Sequence, residues 1–146
     1  MISTSDGRRA PRWSARIAVR YQVFEPQDGE LSLGELDAAR ARDIGSDGLF
    51  LSGVDQPLGT RLHFFFELPE SRGGCIEAFG EVVHAGPRLD ATGFEIPGVG
   101  VRILRISPRN RARLERYLDE RQAIDAACLS AAQVRVRAER RLRGDN

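Results

Sequence analysis

The chain has 146 residues, 41% of them hydrophobic, and a formal net charge of +1, which fits one globular domain with a real core. A charge so near zero argues against bulk electrostatic binding to a nucleic-acid polymer, and no apolar run reaches the length of a membrane span. Cys75 and Cys128 lie far apart without metal-ligand spacing and, with no apolar signal region in MISTSDGRRAPRW, a reduced cytoplasmic compartment is expected.

Residues 1–15 are polar, arginine-rich and broken by Pro11, and read as a flexible arm. RIAVRYQVF then alternates, with Ile17, Val19, Tyr21 and Val23 on one face, as a half-buried strand does. EPQDGELSLG has the composition of a loop. Residues 35–44 carry helix formers, but a strand is preferred because it must feed a tight corner, DIGSDG, and pair with GLFLSG. After the turn DQPLGT, RLHFFFEL points Leu62, Phe64, Phe66 and Leu68 inward. CIEAFGEVVHAG is a long strand in which Gly80 marks a bulge or a close approach. PRLDATGFEIPG reads as a loop, and VGVRILRI is the last strand, with Val99, Val101 and Ile103 on one side.

Ser107 is a good N-cap with Pro108 at the first helical position. From there no Pro or Gly interrupts the chain until Gly144, which predicts one long helix or two in tandem. Six strands followed by a helix indicate a mostly β fold, a six-stranded antiparallel β-barrel with a long C-terminal α-helix. The divisions expected are the arm (1–15), the barrel with its capping helix (16–122) and a helical extension (123–146). In the extension Ile124, Cys128, Ala131, Ala138 and Leu142 keep a 3-4 spacing that Arg135 interrupts. It is either a solvated tail or a surface for self-association or for a protein partner.

Catalytic machinery is not visible. His63 and His84 lie on predicted strands without a nucleophile or metal pattern and read as outward surface or rim residues. GVGVR precedes a strand where a dinucleotide loop needs a helix. No catalytic residue, metal ligand or cofactor is assigned, and the chain reads as a non-enzyme.

The arginines carry more. All 22 basic residues are arginine, for which a high-GC genome is the plain explanation, yet arginine also suits bidentate contacts to phosphate and guanine edges. Arg8, Arg12, Arg16 and Arg20 recur every fourth residue, with Trp13 among them. A basic cluster with an aromatic, folded over a turn of glycines, N–H groups and a carboxylate, can hold a guanine nucleotide.

RWSAR at 12–16 followed by DIGSDG at 43–48 resembles the two signatures of the PilZ domain, Arg-x-x-x-Arg and Asp/Asn-x-Ser-x-x-Gly. The resemblance continues through GLFLSGVDQPLGTRLHFFFELP, FGEVVHAG and GVGVRILRISPRNRARLERYL. It implies a barrel that binds bacterial cyclic di-GMP, with Arg12 and Arg16 on the phosphates and guanines and Asp43 and Gly48 shaping the opposite wall. Gly45 stands at the family's serine position and Ser46 follows it; both, with Trp13 and Arg8, complete the candidate set. The function expected is a cyclic di-GMP receptor whose arm changes conformation on binding and which signals through protein contacts. The alternative is a degenerate PilZ adaptor that works by protein contact alone.

Overall fold

The computed structural model describes residues 12–27, 30–69, 74–90 and 92–142. In chain order its elements are β1 (Arg12–Gln27), β2 (Glu30–Leu33), β3 (Asp37–Gly45), β4 (Gly48–Ser52), β5 (Arg61–Phe66), β6 (Ile76–Ala85), β7 (Arg88–Leu89), β8 (Glu95–Ile96), β9 (Gly98–Ile106) and α1 (Pro108–Leu142).

Alternation builds the walls. In β1 the side chains of Ile17, Val19 and Tyr21 are buried between exposed Arg16, Ala18 and Arg20. In β5 Leu62, Phe64 and Phe66 turn inward, and in β6 Ile76, Ala78 and Val82 do so. Each Val, Ile, Leu or Phe among them contributes about 1.5–3 kcal/mol when fully buried. Every pairing is antiparallel, and the order β1-β3-β4-β9-β6-β5 closes on itself through β1–β5. The six-stranded barrel is thus as expected. Its open edges are abolished by closure.

Three details differ from the sequence reading. β1 begins at Arg12, so residues 12–15 of the expected arm are strand residues; residues 1–11 lie outside those described. The expected loop after Phe24 is instead the far half of a hairpin, with Phe24 opposite Leu33 and Gln27 opposite Glu30. The expected loop after Ala85 holds a second small hairpin, β7–β8. Gly80 is both things it was expected to be. The β6–β9 register shifts beside it, and a Cβ there would lie 2.6 Å from Val101 Cγ1 and 2.7 Å from the Arg102 carbonyl oxygen.

One helix of 35 residues closes the chain. Ser107 caps it, its Oγ accepting from Asn110 N at 3.1 Å, a contact worth about 1 kcal/mol. Leu114 and Leu118 then plug the barrel, with Tyr117 packed beside them, whereas Ile124 is 58% exposed. Among the described residues no helix is long and apolar enough to cross a membrane. Because the plug ends at Leu118, deleting residues 126–146 is expected to shift Tm by less than about 4 °C, the equivalent of roughly 1 kcal/mol in a domain of this size. Thermal unfolding of the shortened chain checks this, and a collapse of the transition would assign the extension to the core.

Candidate functional site

The β1–β3 pairing slips where the backbone of residues 12–16 runs beside the acidic corner. The pairs Arg12–Gly45, Trp13–Ile44 and Ser14–Asp43 give way to Ile17–Ala41, so Ala15 and Arg16 of β1 face the single residue Arg42 of β3. Arg42 is also an extra residue between the Ala41–Leu51 and Asp43–Phe50 pairs. Such bulges bend a strand and re-aim its side chains. Here Ala15 packs on the core and Arg16 is exposed. Beyond the bulge Asp43 lies directly opposite Phe50, and both belong to the outer face of the barrel.

That outer face is unusual around Phe50. Leu49 and Leu51 point into the core cluster, and Phe50 between them is also fully buried, on the outside. The alternation Gly98-Val99-Gly100-Val101 in β9 explains it. The valines face inward, and the glycines leave a flat shelf on the outer side. A Cβ at Gly98 would stand 2.9 Å from Phe50 Cζ and 2.2 Å from the Leu51 carbonyl oxygen. Arg88 of β7 covers the ring, its guanidinium carbon 5.0 Å from the ring centroid, within cation–π range. Its Nη1 also donates to Asp43 Oδ2. The Arg88 and Asp43 side chains are 26% and 14% exposed, so water screens the pair only partly.

The β7–β8 turn is fixed by Asp90. Its Oδ1 accepts from Thr92 Oγ1 at 2.6 Å, Thr92 N at 2.8 Å and Phe94 N at 3.0 Å. The Thr92 hydroxyl first, and then these backbone N–H groups, hold the Asp90 carboxyl below its ordinary pKa.

The corner itself is a hairpin with Ser46 and Asp47 at its tip. The Ser46 carbonyl accepts from Arg111 Nη1 of α1 at 3.1 Å, and the Asp47 carbonyl accepts from Ile103 N at 2.8 Å. Gly45 ends β3 as an extended residue; positive φ occurs at Gly53, Gly59, Gly74, Gly86 and Gly93. Among the described residues no group of three His, Cys, Asp or Glu side chains could hold a metal ion.

The family model of the PilZ domain matches residues 6–120. The chain belongs to the PilZ family. PilZ domains are regulatory receptor or adaptor domains of cyclic di-GMP signalling rather than enzymes. No curated protein matches the chain significantly. Two solved structures resemble it in fold. The Bacillus subtilis inhibitor of motility, MotI/DgrA, superposes with a TM-score of 0.59 at 18% identity over 80% of this chain and 51% of that one. The PilZ domain of YcgR from Escherichia coli, solved with c-di-GMP, does so with a TM-score of 0.55 at 19% identity over 82% and 96%. This chain therefore spans about half the length of the Bacillus structure.

Within this PilZ domain the backbones of both signatures are neighbours. Arg12 is the register partner of Gly45, and Ser14 that of Asp43; Arg16 follows in the bulge, and Gly48 opens β4 opposite Arg102. Ser46 presents its carbonyl to α1. Arg8 lies outside the described residues. The sequence reading missed Arg88, Phe50 and Arg111. The available signal was GLFL, which is apolar on both faces where one was expected to meet water, together with the Gly-Val alternation.

The histidines also deserve a correction in one respect. Both lie on the outer face as expected, and His84 is exposed. His63, however, is only 15% exposed, stacked on Phe79 at 4.7 Å with Nδ1 3.3 Å from Gln22 Oε1. A groove of about 1000 Å³ opens near this aromatic group, between Phe24, Leu58, Arg61, Phe79 and Leu104, and includes no signature residue.

Proposed function

We propose that the chain is a cyclic di-GMP receptor. Arg12 and Arg16 take the phosphates and guanine edges, Asp43 accepts from a guanine, and Gly45, Ser46 and Gly48 let the corner approach it. Trp13 and Arg8 add an aromatic face and a further cation from the segment at the start of the chain. The observation that supports this reading most is the register Arg12–Gly45 and Ser14–Asp43, which joins two signatures far apart in the sequence. Binding changes the conformation of the N-terminal segment, and the altered surface is read by a protein partner in the cytoplasm, with the extension of α1 available for self-association. Calorimetric titration of the full chain with cyclic di-GMP tests this. Saturable binding is expected.

A second reading has one observation in its favour. Gly45 lacks the hydroxyl of the family serine, which would make the chain an adaptor without nucleotide. Gly45→Ser separates the two. Gly45 is extended, so the strain that a side chain meets at positive φ does not arise. Restoring one hydrogen bond is expected to tighten binding a few-fold to about tenfold, and thermal unfolding of the variant shows whether this buried position accepts the side chain. Absence of binding in both wild type and Gly45→Ser leaves the adaptor.

A further inference from the structure

Arg88 belongs to neither signature, yet it touches the carboxylate on which guanine recognition would depend. It reaches Asp43 from the β7–β8 hairpin, with one face of its guanidinium on Phe50. Three features fix it there. The ring beneath it is fully buried and lies over Gly98, where a Cβ would stand 2.9 Å from its Cζ. The hairpin that carries it is locked by the three contacts to Asp90 Oδ1. Its partner follows a bulge that sets the direction of the Asp43 side chain.

We propose that Arg88 is a positioning residue for guanine selectivity, holding the Asp43 carboxylate in the orientation that accepts from the base's N1–H and exocyclic amine. The proposal rests on the cyclic di-GMP reading and names the residue that controls its specificity. A carboxylate offers about four lone-pair sites, so an arginine on Oδ2 is compatible with further donors on the same group. The planar guanidinium is always charged and, lying over the Phe50 ring, approaches Asp43 Oδ2 from one direction, which the flexible ammonium of a lysine does not. A carboxylate left to rotate would still attract donors, but would no longer distinguish a base with the amine from one without it.

The test uses the full chain and two nucleotides, cyclic di-GMP and cyclic di-IMP, whose hypoxanthine bases lack the exocyclic amine. Wild type is expected to prefer cyclic di-GMP. Arg88→Gln is expected to lose about fivefold or more in affinity for cyclic di-GMP while cyclic di-IMP binding changes little, the size of one charge-assisted contact left badly aimed. The selectivity ratio then falls toward one, with Arg88→Lys in between. A merely structural role lowers both affinities together and keeps the ratio. That result, wild-type affinities in Arg88→Gln, or a wild type indifferent to the amine would overturn the proposal. The receptor reading survives any of these if Arg16→Ala weakens binding in the same series. No binding by wild type removes both. If Arg88→Gln melts well below wild type, Arg88→Lys carries the comparison.

Discussion

Arg16→Ala is expected to weaken cyclic di-GMP binding by roughly 10- to 150-fold, the equivalent of the 1.5–3 kcal/mol of a hydrogen bond to a charged group. Arg16 stands at the junction of the N-terminal segment and the barrel. It is exposed, it stands in the bulge opposite Arg42, and the residue before it is anchored on the core. The backbone at Arg16 is therefore set before a ligand arrives, and the ordering cost of binding falls on its side chain. An exposed side chain contributes little to folding, so Tm should stay within a few degrees. Titration and thermal unfolding of the same sample check both halves. An unchanged affinity would show that the nucleotide does not use this bulge.

Gly98→Ala is expected to have the largest effect on stability, a loss of about 3 kcal/mol and a fall in Tm on the order of 10 °C. The added Cβ would lie 2.2 Å from a backbone carbonyl oxygen of β4. Backbone cannot swing aside as a side chain can, so β9 must move off β4, and the Phe50 ring, whose Cζ would lie 2.9 Å from the new atom, must shift as well. Gly53→Ala is the control. Gly53 has a φ of 86° and nothing within 4 Å of the added atom, so only backbone strain of about 1 kcal/mol remains. Denaturant unfolding of both variants checks the difference; equal losses would mean that the β4–β9 contact yields easily.

Legibility followed the core. Wherever one face of a strand is buried, as at Ile17-Val19-Tyr21 or Leu62-Phe64-Phe66, the period of two survives in the sequence, and the six barrel strands were readable. β1 continues beyond Phe24 to pair with β2, but Pro26, Asp28 and Gly29 give that stretch the composition of a loop. The two signatures were legible as patterns, but their alignment depends on a bulge at Arg42 that no local propensity encodes. Arg88 was invisible for a different reason. Nothing near it distinguishes it from the other 21 arginines, because Asp43 and Phe50, which it contacts, come from strands much earlier in the chain. A Phe flanked by leucines can be recognised as doubly buried only once the glycines facing it are known.

The contact between Arg111 and the Ser46 carbonyl has a mechanical consequence. Arg111 sits in the first turn of α1, and Leu114 and Leu118, seated in the barrel mouth, act as a fulcrum just beyond it. A helix of 35 residues is about 52 Å long at 1.5 Å per residue. Most of that length lies past the fulcrum. A tilt of about 5° set at the corner would therefore displace the far end by roughly 3 Å over the ~36 Å arm beyond Leu118. The short arm of such a lever would rest on DIGSDG, and a small shift set at the corner would be largest at the far end of the helix.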